Sequence, residues 1–244
     1  MEYWLLGLFV FIAYTIQTMV GFGGVVIALS LGILVLPIEA MLPILAALSV
    51  TTTFYIVIFN WRSIDHRLLT VLVFPFMGLG VIAGIALRPY LAAAWLEALL
   101  AALLALSAFY QLRKSYAVHQ NTINPESGTR SLTTLAGIAH GLIAAGGPVL
   151  VYALAGKKMD KAIFRATLAT VWMVFNSVLS LHFWYLQSLQ PKVGWIMAYL
   201  PLIALGIAVG EWLYRRVDQV RFERLVYGVL IVIGAFLVIR ALFN

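Results

Sequence analysis

The sequence predicts an all-α, polytopic inner-membrane protein, and three observations carry that prediction. Of 244 residues, 64% are hydrophobic and 10% charged, against roughly 25% charged in a soluble domain. Charges are missing from long runs: between Glu2 and Glu39, between Glu39 and Arg62, and between Arg165 and Lys192. Those runs are apolar on every side, whereas the strands of a membrane barrel alternate, so helices are the way this backbone is satisfied in lipid. Mean hydropathy is +1.02, and a crossing helix needs about 20 apolar residues.

In chain order the predicted helical segments are 3–20, 25–36, 40–59, 69–88 and 93–112, then 132–145, 148–156, 162–185, 194–213 and 222–242. The first starts without a basic leader or cleavage pattern, so it is expected to stay in the mature chain. Arg113–Ser131 is the long polar stretch. It divides the chain into a first transmembrane repeat over 1–112, a cytoplasmic linker over 113–131 and a second repeat over 132–244. Cysteine is absent, which excludes disulfides, thiolate nucleophiles and sulfur-ligated metals. The net charge of +7 reads as loop lysines and arginines that set orientation, not as a nucleic-acid surface.

The two halves correspond. Gly23-Gly24 and Gly146-Gly147 lie 123 residues apart, and the same offset pairs Gln17 with His140, Thr53 with Asn176 and Trp61 with Trp184. Further on the offset becomes 126, pairing Gly80 and Gly84 with Gly206 and Gly210, and Glu97 with Glu223. Matches in this order point to duplication. If the loops at 60–68, 113–131, 156–165 and 214–224 share one side, that side holds 13 of the 16 lysines and arginines. The positive-inside rule makes it cytoplasmic. Matching loops then face opposite sides, so the repeats are expected to be inverted, each with a broken or re-entrant hairpin plus three transmembrane helices, and both termini outside.

Segments 132–145 and 148–156 span only about 20 and 14 Å as helices, too short to cross a core of about 30 Å. They read as a re-entrant hairpin with its tip at Ala144-Ala145-Gly146-Gly147-Pro148. Proline there suits a first helical turn. The first-half tip is Gly21-Phe22-Gly23-Gly24, with a longer first arm. Each tip starts a helix whose free N–H groups favour an anion. Close packing of small residues is the competing explanation of such glycines.

These motifs carry a resemblance. GFGGVVIALSLGILVLP, then NWRSIDHR and PFMGLGVIAGIAL, is similar to the first half of the sulfite exporter TauE/SafE family, and GIAHGLIAAGGPVLVYALAG followed by FRATLAT to its second half. The resemblance covers most of the chain outside the linker and departs from the glycine-rich version of the first tip at Val25. It implies transport of small organosulfur anions such as sulfite or sulfonates, or of small carboxylates, with export the expected direction.

The expected substrate-binding residues are Gln17, Thr18, Gly21, Gly23, Gly24, Thr52, Thr53, His140, Gly146, Gly147, Pro148 and Asn176, with the anion held between the two helix starts and exposed to each side in turn. The threonines have a structural alternative, since in membrane helices they bond the carbonyl one turn back. Gln17, His140 and Asn176 are costlier to bury, as interhelical ties or as ligands. Glu211 is placed to pair with Arg215 one turn on. Expected partners are the anion, membrane lipid and, in a homodimer, a second copy of the chain. No cofactor, metal, catalytic group or nucleic acid is expected. Two other functions stay open at this point: a passive anion channel, and an intramembrane enzyme acting on a lipid or small molecule. The dispersed histidines and missing metal-ligand spacing speak against the enzyme.

Overall fold

The computed structural model describes residues 2–33, 35–92, 126–154 and 159–222, with isolated positions beyond these ranges. Among them the chain is helical with no strand. The helices are α1 (Glu2–Val20), α2 (Gly24–Gly32), α3 (Ile38–Asn60), α4 (the run His66–Tyr90), α5 (Glu126–Ile143), α6 (Gly147–Leu154), α7 (Lys161–Tyr185) and α8 (Val193–Arg216). Five helical runs are long and apolar enough to cross a membrane: Glu2–Val20, Ile38–Ser63, His66–Tyr90, Lys161–Tyr185 and Gln190–Arg216. The fold class is therefore as expected, an all-helical polytopic membrane protein. Helix α5 begins at Glu126, inside the polar stretch, and runs 18 residues to Ile143, about 27 Å by helix rise. The arm before the second tip is therefore longer than the expected segment 132–145, because helical backbone continues into polar sequence. The segments 93–112 and 222–242 and residues 113–125 lie almost wholly outside the described residues.

Helix α4 changes its winding along its length. Asp65 caps it, Oδ1 accepting from the Leu68 N–H at 2.8 Å. Over Leu69–Met77 it is a π-helix, and it returns to α over Gly78–Leu87. Pro75 falls in the π stretch. A proline offers no N–H and crowds the carbonyl a turn back, which wider winding accommodates.

The chain divides into two compact units, Met1–Leu69 with Asp160–Phe222 and Thr70–Met159 with Glu223–Asn244. In the first, α1 packs on α8, α3 on α7, and α2 folds back beside α1 and α3. Its interior is apolar, built from Leu6, Val10, Met41, Leu45, Leu48, Phe175 and Leu179. Tyr14 is buried there and spends its hydroxyl on the Leu45 carbonyl. In the second, α5 packs on α4 and on α6.

Glycines set how closely these helices approach. In the first unit a Cβ on Gly210 of α8 would stand 2.5 Å from the Thr15 carbonyl oxygen, and one on Gly206 would stand 3.4 Å from that of Phe11. In the second, a Cβ on Gly84 would overlap the Ile138 carbonyl oxygen and one on Gly80 that of Thr134. Phe11 and Thr15 correspond to Thr134 and Ile138 at the 123 offset. Corresponding glycines therefore meet corresponding carbonyls, and in each unit the glycine pair of one half packs on the hairpin arm of the other half. Outward side chains such as Phe59, Leu79, Ile82 and Leu181 are exposed and apolar, as suits a lipid-facing surface. Trp61, Trp184 and Trp212 stand exposed near helix ends, the place of interfacial anchors.

Candidate functional site

Both tips break their helices at buried positions. In the first, Gly21 and Gly23 hold φ of 91° and 92°, a region that favours glycine. The Gly21 N–H donates to the Gln17 carbonyl at 2.7 Å, and α2 then starts with the Ile27 N–H donating to Gly23 at 2.8 Å. In the second, the Ala144 N–H donates to the His140 carbonyl at 2.7 Å and the Leu150 N–H to Gly146 at 3.0 Å. All four positions of one tip match those of the other at the 123 offset. The left-handed residue after the second arm is Ala144, φ 52°, where the first half has Gly21. Each tip also needs a glycine for closeness. A Cβ on Gly24 would overlap the Gln17 amide, and one on Gly146 would stand 2.9 Å from the Cβ of His140.

In the first unit the side chains before the tip form a buried polar cluster. Gln17 Nε2 and Asn176 Nδ2 each donate to Ser49 Oγ at 3.0 Å. All three residues are 1% exposed or less. Two amide donors occupy both lone pairs of the serine oxygen, and Asn176 Oδ1 has no partner among the described residues. Turning the Asn176 amide by half a turn would let Ser49 donate to Oδ1 and bring Nδ2 to the open position. As placed, the open group is an acceptor oxygen; with the amide turned, it is an N–H that faces the open position, and only that form offers a donor there.

The threonines behave differently. Thr18 donates to the Tyr14 carbonyl at 2.8 Å, Thr52 to Leu48 at 3.2 Å and Thr53 to Ser49 at 2.7 Å. Their hydroxyl hydrogens are thus held by the preceding turn, and the structural alternative describes their geometry. His140, Gly146, Gly147 and Pro148 are buried at the second tip. They belong to the second unit, whereas Gln17, Thr18, Gly21, Gly23, Gly24, Thr52, Thr53 and Asn176 belong to the first.

Two residues of the first unit escape sequence reasoning. Ser49, which joins Gln17 to Asn176, carries no signal that sets it apart from other membrane-helix serines. Arg165 reads from sequence as a loop cation, yet it is 1% exposed. Its Nε donates to the Thr18 carbonyl at 2.8 Å, its Nη2 meets Glu211 Oε2 at 2.5 Å, and its guanidinium lies 3.9 Å from the Tyr214 ring centroid. Glu211 also pairs with Arg215 at 3.2 Å, as expected. A signal for the buried pair existed. Arg165 is the last charge before a long uncharged run, and Glu211 is the first after Lys192, each embedded in apolar sequence.

Helices broken at buried glycine tips, with amide donors and a guanidinium gathered beside one break, have the build of a membrane transport protein for small anions. The comparison with protein families agrees: the chain belongs to the sulfite exporter TauE/SafE family, whose model matches residues 6–237. It is accordingly a multi-pass membrane protein of a transporter family that exports sulfite and related anions. No curated protein and no solved structure matches the chain.

Proposed function

We propose that this protein exports a small organosulfur oxyanion, sulfite or a simple sulfonate, across the inner membrane by alternating access, and that Gln17, Ser49 and Asn176 hydrogen-bond the anion's oxygens. One observation carries the assignment of the residues. A buried amide with an open hydrogen-bonding position is costly when empty, and with the Asn176 amide turned an oxyanion supplies the acceptor that position lacks. The helix starting at Gly24 adds backbone N–H groups and the positive end of its dipole beside Gln17. With their hydroxyl hydrogens engaged, Thr18, Thr52 and Thr53 shape the walls in this reading, and the donors are the amides and Ser49. The role of the second tip, Gly146-Gly147-Pro148 with His140, is proposed from its matching backbone geometry.

The deciding experiment is flux of labelled sulfite and a small sulfonate panel into proteoliposomes, comparing wild type with Gly24→Leu and Gly147→Leu. Saturable flux lost in each folded variant supports the proposal for that tip. Flux that survives Gly24→Leu moves the site away from the Gln17 cluster. Flux that never saturates and shows no counter-exchange makes the protein a channel, and absence of flux for every anion refutes the substrate class.

A further inference from the structure

The geometry points to a second anion station in the first unit, at the guanidinium of Arg165, separate from the Gln17–Ser49–Asn176 cluster. It rests on the reading of the protein as an anion transporter. An arginine has five N–H donors in a planar fork and stays charged in a protein. Here Nε is spent on the Thr18 carbonyl, in the last turn of α1, and Nη2 on Glu211. The plane is held against the Tyr214 ring. Nη1 is buried and has no acceptor among the described residues. Capping the end of α1 uses only Nε, and balancing Glu211 uses only Nη2. The rigid fork therefore presents a free, desolvated N–H pair beside the first tip, whose Gly21 packs on the Arg165 backbone. A sulfite or sulfonate oxygen is the acceptor such a fork accommodates best.

Glu211 makes the station reversible. Its Oε2 holds Arg165 while its Oε1 holds Arg215. It is thus the internal competitor for the guanidinium, and it keeps a second cation when an incoming anion weakens the first contact. Position separates this station from the cluster. Arg165 lies one turn into α7, near Lys161 and at the basic end of α8 with Arg215 and Arg216. Asn176 is 11 residues further along α7, about 16 Å by helix rise. A small oxyanion does not bridge Arg165 and the Asn176 end of the cluster, so the cargo passes from Arg165 by way of Gln17, the neighbour of the Thr18 whose carbonyl Arg165 holds.

The test is titration of sulfite into the purified full-length protein in detergent, with thermal unfolding as the fold control. In Arg165→Lys, which keeps the charge and loses the fork, affinity is expected to fall about 10- to 100-fold, the equivalent of one charged hydrogen bond. In Glu211→Gln, which keeps an acceptor for Nη2 and removes the competing charge, affinity is expected to rise about tenfold. Sulfite should also raise the unfolding temperature of Glu211→Gln more than that of wild type. A purely structural ion pair predicts the opposite, weaker or unchanged binding in Glu211→Gln, and that result overturns the proposal even if Arg165→Lys fails to fold. Wild-type affinity in folded Arg165→Lys overturns it too. The gain in Glu211→Gln should persist with Asn176→Ala, and its loss there would place the anion at the amide cluster alone. If wild type binds neither sulfite nor methanesulfonate, the transporter reading itself fails, and this station with it.

Discussion

Gly210 of α8 lies against Thr15 of α1 so closely that a Cβ on the glycine would stand 2.5 Å from the threonine carbonyl oxygen. The corresponding pair in the other unit, Gly84 and Ile138, is closer still. Close backbone approach of this kind is how membrane helices gain packing energy without a hydrophobic drive between them. The same arrangement recurs in each unit: the glycine pair from one half packs on the hairpin arm from the other. The hairpin arms are thereby clamped by helices far from them in sequence.

Gly210→Ala is expected to destabilise the protein by about 1–3 kcal/mol through overpacking against Thr15 and Thr18. Gly194→Ala in the same helix, where a Cβ meets nothing within 4 Å, should be neutral or stabilise by about 0.5–1 kcal/mol. Thermal unfolding of both variants in detergent checks the contrast. Equal effects would mean that α1 and α8 are not packed through this glycine.

Ala144 holds a left-handed conformation that costs a residue with a Cβ roughly 1–2 kcal/mol. Ala144→Gly should therefore raise the unfolding temperature by a few degrees. Gly21→Ala, the reverse change at the matching position, should lower it more strongly. There the left-handed cost adds to a Cβ only 2.8 Å from the Arg165 Cα.

Removing the Ser49 hydroxyl leaves two buried amide donors without their acceptor, a cost of about 1–3 kcal/mol. Ser49→Ala is expected to lower sulfite flux at least about tenfold, which corresponds to 1.4 kcal/mol in a barrier. Thr52→Ala, which deletes only a hydroxyl bonded to its own helix, should transport nearly as wild type. Flux assays in proteoliposomes distinguish them, and a reversed order would return the site to the threonines.

Glu211→Ala leaves the Arg165 cation buried and uncompensated, and should cost about 3–5 kcal/mol. Arg215→Ala removes the other partner of the same carboxylate, a side chain 75% exposed. It should cost no more than about 1 kcal/mol. Denaturant unfolding of the two variants measures the difference.

Orientation is testable because the chain has no cysteine of its own. Single cysteines replacing Gln120 and Lys158 should label from the cytoplasmic side, and one replacing Gln190 from outside. Labelling of Gln120 and Lys158 positions from opposite sides would overturn the re-entrant reading of the second hairpin.

Hydropathy and helix length are local properties, and they were enough to read the class of protein, most helix positions and the short helix after Gly146-Gly147. The likeness of the two tips was legible for the same reason: both breaks place small residues at the same spacing, as Gln17–Gly21–Gly23 and His140–Ala144–Gly146 show. The threonines were legible only as alternatives, because a hydroxyl in a helix has its own preceding carbonyl within reach whatever surrounds it. Ser49 and Arg165 depended on tertiary structure. Ser49 meets Asn176 across 127 residues, and Arg165 meets Thr18 across 147 and Glu211 across 46. Which face of α7 turns toward α1, α3 and α8 is decided by packing against those helices, and apolar residues on all sides of a membrane helix leave that rotation unmarked in the sequence. The sequence by itself determined that this chain lives in the membrane and breaks its helices at paired glycines. Only the tertiary structure decided which polar groups stand beside the first break, because burying a charge or an amide requires partners that distant helices supply.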